Sequence, residues 1–294
     1  MHHIIFYGSY LAIPFFIYLI FLLVKKKEKV YKNKVLFVLI ILALITTVSF
    51  LYARFIEPQI ILIKNTQIET GFSAKFVVIS DIHLGVYKGT HFLERIVEKI
   101  NTIEQVDAVL IPGDFIYYPQ EDLEVLFSSL KQIKFPVYAV LGNHDTEESR
   151  QYIDEELQKA LVENGVIFLS NSSAYIEQKN IRILGLGDKW TDEDDISKID
   201  KFTIEDNVVV ITHNPDTTLE YTNSIPDLTV SGHTHGGQIR IPYLYKKVIP
   251  CVGDFDAGLY DVGENNVFVT AGVGEIGLPM RLGIPPTIEI LELY

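Results

Sequence analysis

Residues 75–85, KFVVISDIHLG, contain a short apolar run that ends abruptly in an aspartate and a histidine. The run over 75–80 predicts a buried β-strand. Apolar and amphipathic segments then alternate along the following 80 or so residues, which predicts strands joined by helices and hence a parallel sheet. The predicted elements are a helix over 91–103, a strand over 107–112, a helix over 121–133, a strand over 136–142 and a helix over 147–165 that ends at Gly165.

The second half of the chain is richer in predicted strands. Their number indicates two packed sheets with helices outside them, so the fold class is α/β. The predicted strands cover residues 166–170, 181–186, 207–213, 228–232, 237–242, 266–272 and 287–293.

Polar side chains that can bind metal ions follow five of these strands. Five of the eight histidines in the chain lie at such strand ends. In open α/β sheets the crevice beyond the carboxyl ends of the strands is where ligands bind. A single aspartate after a strand is usually a cap or part of a turn, but five such clusters together favour one shared site. The clusters are Asp81 with His83, Asp114, Asn143 with His144 and Asp145, His213, and His233 with His235.

The spacing within two clusters supports this interpretation. In extended backbone, residues i and i+2 point to the same side, so Asp81 and His83 are expected to face one point. The same holds for His233 and His235 in SGHTHGGQIRIP, residues 231–242, where the glycines allow close approach of the backbone. Asp114 can offer its two oxygens to two different ions.

These side chains form a ligand set of imidazole, carboxylate and amide groups without thiolate, which suits Mn, Fe or Zn. Two divalent ions about 3.5–4 Å apart can polarise a phosphoryl group and lower the pKa of a bridging water. The sequence contains no glycine-rich phosphate loop that ends in Lys-Ser/Thr. Cys251 is the only cysteine, which excludes an intrachain disulfide and a cysteine-rich zinc site.

The N-terminal region differs from the rest in being strongly apolar. Residues 4–24 and 35–53 contain no charged side chain, and each run is long enough to cross a bilayer as a helix. The alternative is a cleaved signal peptide followed by a core helix. Residues 25–34 between the runs hold six lysines, which predicts a cytoplasmic loop. We therefore expect a two-helix membrane anchor over residues 1–55 and a catalytic domain over 56–294 on the extracytoplasmic side.

Net charge limits the partners of this domain. The whole chain carries −13, and its first 54 residues carry +6, so residues 55–294 carry −19. Such a surface repels phosphate backbones, which argues against nucleic-acid binding. Hydrolysis of a small phosphate ester held by metal ions remains compatible with it.

The ordered motifs DIH, GD, GNHD, TH and GHTH closely resemble those of the calcineurin-like metallophosphoesterase superfamily. The stretches PDLTVSGHTHGGQIRIP and AGVGEIGLPMRLGIPP resemble its membrane-anchored bacterial branch of YkuE and YaeI type. The resemblance covers about residues 59–294. It implies a four-layer α-β-β-α sandwich built around two mixed sheets.

The resemblance also implies a role for each motif residue, with two divalent transition-metal ions as cofactors. His144 would lie beside the phosphate, where it would stabilise charge or protonate the leaving oxygen, oriented by Asp145. Tyr117 stands where many relatives carry an acidic residue, and its role and that of Trp190 stay open. The implied ligands are Asp81, His83 and His235 for one metal, Asn143, His213 and His233 for the other, and Asp114 for both.

The expected function is hydrolysis of a phosphodiester or pyrophosphate bond by a membrane-anchored enzyme with two metal ions. Membrane anchoring favours a lipid-linked or envelope substrate. One alternative resembles UDP-2,3-diacylglucosamine pyrophosphatases of lipid A synthesis, although their substrate is cytoplasmic. The other alternative is a binding module that uses the fold without catalysis. The sequence leaves the oligomeric state open.

Overall fold

The structure is a computed structural model that describes residues 2–146 and 154–294. Two apolar helical segments precede the rest of the fold. They run over His2–Lys25 and Lys34–Gln59, and both are long and apolar enough to cross a membrane. The first consists of α1 (His2–Gly8) and α2 (Ala12–Lys25), joined by a 3₁₀ turn. The second consists of α4 (Lys34–Leu51), a π-helical turn and a 3₁₀ turn, and the short α3 (Lys27–Lys32) connects the two segments.

The two segments pack against each other through a small apolar cluster. Leu19, Val30 and Ile40 are buried in it. Most other apolar side chains of the pair are exposed, including Ile4, Val35 and Leu42. Since water does not favour so much exposed apolar surface on two helices, the segments indicate association with a membrane. We call residues 2–59 the hairpin.

The remaining described residues form fourteen strands and three further α-helices. The helices are α5 (Thr90–Ile100), α6 (Leu123–Leu126) and α7 (Asp154–Glu163). The strands are β1 (Leu62–Ile68), β2 (Ala74–Val78), β3 (Leu84–Gly85), β4 (Ala108–Pro112), β5 (Ile116–Tyr117), β6 (Val137–Val140), β7 (Val166–Phe168), β8 (Ser172–Ile176), β9 (Ile181–Gly185), β10 (Asn207–Ile211), β11 (Leu228–Ser231), β12 (Gly258–Val262), β13 (Asn265–Val269) and β14 (Thr287–Leu293).

The strands form two six-stranded mixed sheets and one small pair. The first sheet has the order β1-β14-β2-β4-β6-β7, and β14 runs antiparallel to β2. The second has the order β12-β13-β11-β10-β9-β8, with antiparallel strands at both edges. The short β3 and β5 pair in parallel. Four consecutive parallel strands in each sheet confirm the parallel arrangement predicted for the first half and extend it to the second.

Alternation along β2 shows how the layers pack. Phe76 and Val78 point into the core between the two sheets, whereas Val77 and Ile79 belong to the core that also contains helix residues of α5 and α7. This period of two is typical of a strand buried on both faces. The second sheet is covered on its outer face by 3₁₀ turns over Ile196–Lys201 and Pro215–Glu220. The predicted four-layer sandwich is confirmed.

One predicted strand is wrong, one predicted helix is shortened, and five strands were not predicted. Residues 237–242 form no strand beyond one bridge residue, because Gly236, Gly237 and Gln238 have positive φ and turn the chain. The predicted helix over 121–133 is shortened to α6 and a 3₁₀ turn, and the Ser128 hydroxyl donates to the Val125 carbonyl there. Part of the predicted helix over 147–165 lies outside the described residues. The strands not predicted are β1, β3, β5, β8 and β12.

Candidate metal centre

Five strands of the two sheets end at one edge of the sandwich. β2, β4 and β6 of the first sheet and β10 and β11 of the second are parallel within their sheets, so their carboxyl ends lie together. The loops that follow these strands carry all the polar clusters predicted from the sequence. The crevice beyond the strand ends is therefore lined from both sheets.

Four buried side chains form the first cluster. The ligand atoms of Asp81, His83, Asp114 and His235 all lie within 4.8 Å of one another. His83 Nε2 is 3.0 Å from His235 Nε2 and 3.3 Å from Asp114 Oδ2. His235 Nε2 is 3.5 Å from Asp81 Oδ1. Two carboxylates and two imidazoles at such distances form a set that can bind a divalent cation.

A second cluster adjoins the first through Asp114. Its Oδ2 atom is 3.2 Å from His213 Nε2. His233 Nδ1 is 3.2 Å from His213 Nε2 and 3.1 Å from Asn143 Oδ1. The same carboxylate oxygen therefore contacts an imidazole of each cluster.

The backbone at these residues is not extended. The alternation of side chains in extended backbone is therefore not the reason why Asp81 and His83, or His233 and His235, converge. Five of the predicted site residues have positive φ, a region that non-glycine residues rarely adopt. Such conformations cluster at functional sites, where the surrounding structure enforces them. The φ values are 51° at Asp81, 47° at His83, 58° at Asp114, 70° at His233 and 52° at His235.

Three of the imidazoles are oriented by main-chain carbonyl groups. His213 Nδ1 lies 2.8 Å from the Pro112 carbonyl, and His83 Nδ1 lies 3.3 Å from the Ile116 carbonyl. His233 uses its other nitrogen, Nε2, which is 2.8 Å from the Pro250 carbonyl. When such a ring is neutral, the nitrogen next to the carbonyl carries the proton, so the opposite nitrogen can offer its lone pair to a cation in the clusters. Metal-binding histidines are held in this way.

Unpaired buried atoms provide a test of whether a cation fits. Asp81 Oδ2 and His235 Nδ1 are buried and have no hydrogen-bond partner. A buried carboxylate oxygen without a partner costs several kcal/mol unless a cation compensates it. Burial raises the pKa of Asp81, because no sufficient positive charge lies beside it. The residues present therefore fit a bound cation.

The electrostatics of the second cluster lead to the same conclusion. Burial opposes a charged imidazole at His213, yet the Asp114 carboxylate raises its pKa to about 10. Burial lowers the pKa of His233 to about 3, and also holds the pKa of His235 well below its ordinary value. These two rings are thus neutral and can act as ligands. Asp114 demands a positive charge, which a proton on His213 or a divalent ion can supply.

The sequence profile of the calcineurin-like phosphoesterases matches residues 74–237, which contain both clusters. The chain belongs to this family. As a metallophosphoesterase it is a phosphoric ester hydrolase, and its aspartates and histidines can bind a divalent metal ion. The resemblance inferred from the motifs is confirmed.

Three similar proteins agree with this assignment. A metallophosphoesterase of Campylobacter jejuni is 32% identical over 95% of this chain and 75% of its own length. The metallophosphoesterase YkuE of Bacillus subtilis is 28% identical over 82% of this chain and 88% of its own. The phosphodiesterase YaeI of Escherichia coli is 27% identical over 74% of this chain and 82% of its own. The named relatives support the bacterial branch.

His144 and Asp145 lie beside the clusters of this metallophosphoesterase. The His144 ring is 5.2 Å from the ring of His83, and its backbone N–H donates to Asp114 Oδ1. The Asp145 carboxylate accepts from the backbone N–H groups of Phe115, Ile116 and Gly142 at 2.8–3.1 Å. Asp145 thereby joins the loops after β4 and β6. Burial raises the pKa of Asp145 to about 7.

A pocket of about 500 Å³ opens above the clusters and is lined by Asp114, His144, His233 and His235. The Trp190 ring also lines it, with its centroid 4.4 Å from that of His233. Aliphatic side chains complete the lining, so the pocket wall combines polar and apolar groups. The apolar residues include Ile239, Val248, Ile249, Ile276 and Leu278.

Tyr117 is buried against the site. Its ring centroid lies 5.8 Å from that of His83 and 5.9 Å from that of His144. Its hydroxyl oxygen is 3.2 Å from His2 Nδ1 of the hairpin. No motif in the sequence marks His2, and its contact with the pocket wall is seen only in the structure.

Gly232 shows why a glycine precedes the segment His233-Thr234-His235. A Cβ atom there would lie 2.2 Å from Ser80 Oγ and 2.6 Å from Asp81 Oδ2. Such distances are far below van der Waals contact, so any side chain at this position would displace the Asp81 carboxylate. The glycine allows the two loops to meet, as the sequence predicted.

A buried group of charged residues outside the metal centre lies where the hairpin meets the sheets. It was not predicted from the sequence. Lys88 Nζ is 2.9 Å from Glu275 Oε1 and donates to the Pro58 carbonyl. The wholly buried Arg281 guanidinium donates to the carbonyls of Ala271, Gly274 and Ile284. Glu57 Oε1 accepts from the backbone N–H of Ile284. We call Glu57, Lys88, Glu275 and Arg281 the joint.

Proposed function

We propose that this chain is a membrane-anchored phosphoesterase with two metal ions, which hydrolyses a phosphodiester or pyrophosphate bond. Residues 1–55 would form the anchor and residues 56–294 the catalytic domain. The substrate would be lipid-linked or part of the cell envelope. The position of Asp114 Oδ2 carries the proposal, since it lies 3.3 Å from His83 Nε2 and 3.2 Å from His213 Nε2.

The proposed ligands divide into the two clusters already described. Asp114 would belong to both, because its carboxylate oxygen already contacts an imidazole of each. Bound divalent ions supply Lewis acidity to a phosphoryl oxygen and lower the pKa of water. The first ion would be held by Asp81, His83 and His235 and the second by Asn143, His213 and His233, with Asp114 shared.

His144 is proposed as the residue that gives a proton to the leaving oxygen. It lines the pocket, and the hydrogen bond from its backbone N–H to Asp114 Oδ1 fixes its loop beside the metal ligands. An imidazole near neutral pH can hold and release a proton at one ring nitrogen. Asp145 supports this residue by fixing the backbone of the same loop, and its direct orientation of the ring stays a prediction.

The pocket and the hairpin support an amphiphilic substrate. Polar ligands at the base can receive a phosphate group, whereas Ile249, Ile276 and Leu278 can contact apolar chains. The lysine-rich residues 25–34 favour the cytoplasmic side for the far end of the hairpin, which would place the catalytic domain outside the cytoplasm.

Turnover of a chromogenic phosphodiester by the full chain in detergent tests the proposed activity. We expect hydrolysis with added Mn, Fe or Zn, loss on chelation, and loss in His233→Ala. His91→Ala is the matched control, because His91 is an exposed histidine on α5. Absence of turnover with all these metals would favour the non-catalytic binding module.

A reporter of topology at the C-terminus tests the side of the membrane. An extracytoplasmic signal is expected from the lysine loop. A cytoplasmic signal would contradict the proposed location and would favour the nucleotide-sugar pyrophosphatase alternative. Hydrolysis rates over a panel of phospholipids, nucleotide sugars and nucleotides would then identify the substrate class.

A further inference from the structure

Residues 239–252, IRIPYLYKKVIPCV, form an exposed apolar segment beside the pocket, which we call the rim segment. Tyr243 and Val252 are 93% and 91% exposed, and Leu244 and Val248 are more than half exposed. Soluble surfaces rarely expose so many large apolar side chains together, and such patches mark a contact with another apolar phase.

The charge of the rim segment differs from that of the domain around it. It contains three basic residues and no acidic one, although residues 55–294 carry a net charge of −19. Lys246 and Lys247 are both exposed, close in sequence to Tyr243. Tyrosine and lysine among aliphatic side chains are typical of segments that lie at a membrane surface, where lysine meets anionic headgroups.

The pocket connects the rim segment with the hairpin. Val248, Ile249 and Pro250 of the rim segment line the pocket, as do Tyr118 and Gly277. The ring of His2, at one end of the hairpin, lies 4.6 Å from the ring of Tyr118. The Tyr87 hydroxyl, next to His2, donates to the Gly277 carbonyl at 2.6 Å.

A second contact lies near the C-terminus of the hairpin, which adjoins the sheets as its N-terminus does. The backbone N–H of Arg281 donates to the carbonyl of Ala53 at 3.0 Å. Both ends of the hairpin that adjoin the sheets, near His2 and near Ala53, therefore lie beside the chain that forms the pocket wall. A membrane crossed by the hairpin would thus have its surface close to the mouth of the pocket.

We propose that the rim segment docks on the surface of the bilayer that the hairpin crosses, with Tyr243 and Leu244 among the lipids and Lys246 and Lys247 on anionic headgroups. The pocket then opens at the level of the headgroups. Delivery of a lipid phosphoester to the metal centre by this route rests on the proposed function, whereas the docking itself does not.

Tryptophan fluorescence of the full chain in vesicles tests the docking. The only native tryptophan is first removed by Trp190→Phe, and Tyr243→Trp then places a single probe in the rim segment. The vesicles contain phosphatidylglycerol and phosphatidylcholine, with or without bromine on the acyl chains. We expect brominated lipid to quench the probe by about half, because an interfacial segment buries its apolar side chains at the acyl boundary.

Ile204→Trp in the same background is the matched control. Ile204 is also highly exposed, but it precedes β10 and lies at the opposite edge of the sheet. Its fluorescence should not change with brominated lipid. Equal quenching of the two probes, or none at Tyr243→Trp, would overturn the proposal. A blue shift at Tyr243→Trp that depends on protein density and not on bromine would assign the segment to a second copy instead.

Charge reversal separates the contribution of the lysines. Lys246→Glu with Lys247→Glu should weaken quenching in vesicles with phosphatidylglycerol and have little effect in pure phosphatidylcholine. Turnover of a soluble phosphodiester, measured in chains that keep Trp190, distinguishes failure of docking from failure of the proposed activity. Turnover without quenching would refute docking alone, and quenching without turnover would refute the phosphoesterase alone. Tyr243→Ser with Leu244→Ser should lose docking and keep turnover of the soluble diester.

Discussion

The metal centre and the joint are both buried clusters of charged residues, yet they are balanced differently. The joint contains two cations and two carboxylates, so its formal charges cancel. Lys88 pairs with Glu275, and Arg281 donates to main-chain carbonyls. In the centre, Asp81 and Asp114 face imidazoles, and Asp81 Oδ2 lacks any partner. A buried cluster that balances its own charge serves the structure, whereas one that leaves lone pairs unused is built to bind something.

Asp114→Asn should produce the largest effect, because it removes the charge shared by both clusters. We expect turnover of the phosphodiester to fall roughly 10³-fold, which corresponds to about 4 kcal/mol of lost transition-state stabilisation. Elemental analysis should find less bound metal. Full activity of the variant would contradict the functional distinction between the metal centre and the joint.

Lys88→Met should act on stability and not on metal binding. It leaves the Glu275 carboxylate buried without its cation, which costs about 3–5 kcal/mol. Denaturant unfolding of the full chain in detergent measures the loss, while the metal content of the folded fraction stays unchanged. Combining Lys88→Met with Glu275→Gln should recover most of the stability. Loss of bound metal in the single variant would contradict a purely structural joint.

Glu289 on β14 offers a third case, a buried carboxylate with neither metal ligands nor a close ion pair. Burial raises its pKa to about 7 in the folded chain from an ordinary value of 4.5. Its folded pKa is the higher one, so its contribution to stability is complete below pH 4.5 and is lost as the pH rises through 7. The total loss is about 3 kcal/mol.

Glu289→Gln should therefore flatten the stability profile between pH 4.5 and 7 and stabilise the chain above pH 7. Thermal unfolding across this range measures the change. Glu292→Gln on the same strand is the control, because hydrogen bonds lower the pKa of Glu292 and keep its titration below the window. An unchanged profile in Glu289→Gln would show that the carboxylate finds a partner.

Removal of metal should have the smallest effect on the free energy of unfolding. An ion present at 100 times its dissociation constant stabilises the folded state by about 2.7 kcal/mol. Chelation should lower the unfolding temperature of the unaltered chain and of Lys88→Met alike, and leave Asp114→Asn nearly unaffected. A chelator effect of equal size in Asp114→Asn would place the bound metal elsewhere.

The sequence predicted the site better than it predicted the path of the chain between the strands. Residues such as Asp81 and His233 follow long apolar runs, so their convergence depended only on parallel strand order. Their positive φ values could not be predicted, since loops from both sheets enforce them together. A strand was predicted over residues 237–242 because IRIP alternates like one, but the turn at Gly236 and Gly237 prevents pairing.

The burial of the four joint residues could not be predicted from the sequence for a related reason. Glu57, Lys88, Glu275 and Arg281 are ordinary charged residues at large separations, with no motif that marks them as buried. Only the docking of the hairpin against the sheets removes them from water. The contact of His2 with Tyr117 and Tyr118 is equally non-local, because it joins positions more than one hundred residues apart.

The place of β14 within the first sheet determines the order in which the molecule can be completed during synthesis. Residues 287–293 pair with β1 on one side and β2 on the other, so the strands on either side of β14 lack this partner until the ribosome has finished β14. Nascent chains that stall before residue 287 would expose the unpaired edges of β1 and β2, although the hairpin has already been synthesised. Quality control by proteases is expected to act on such unfinished chains first.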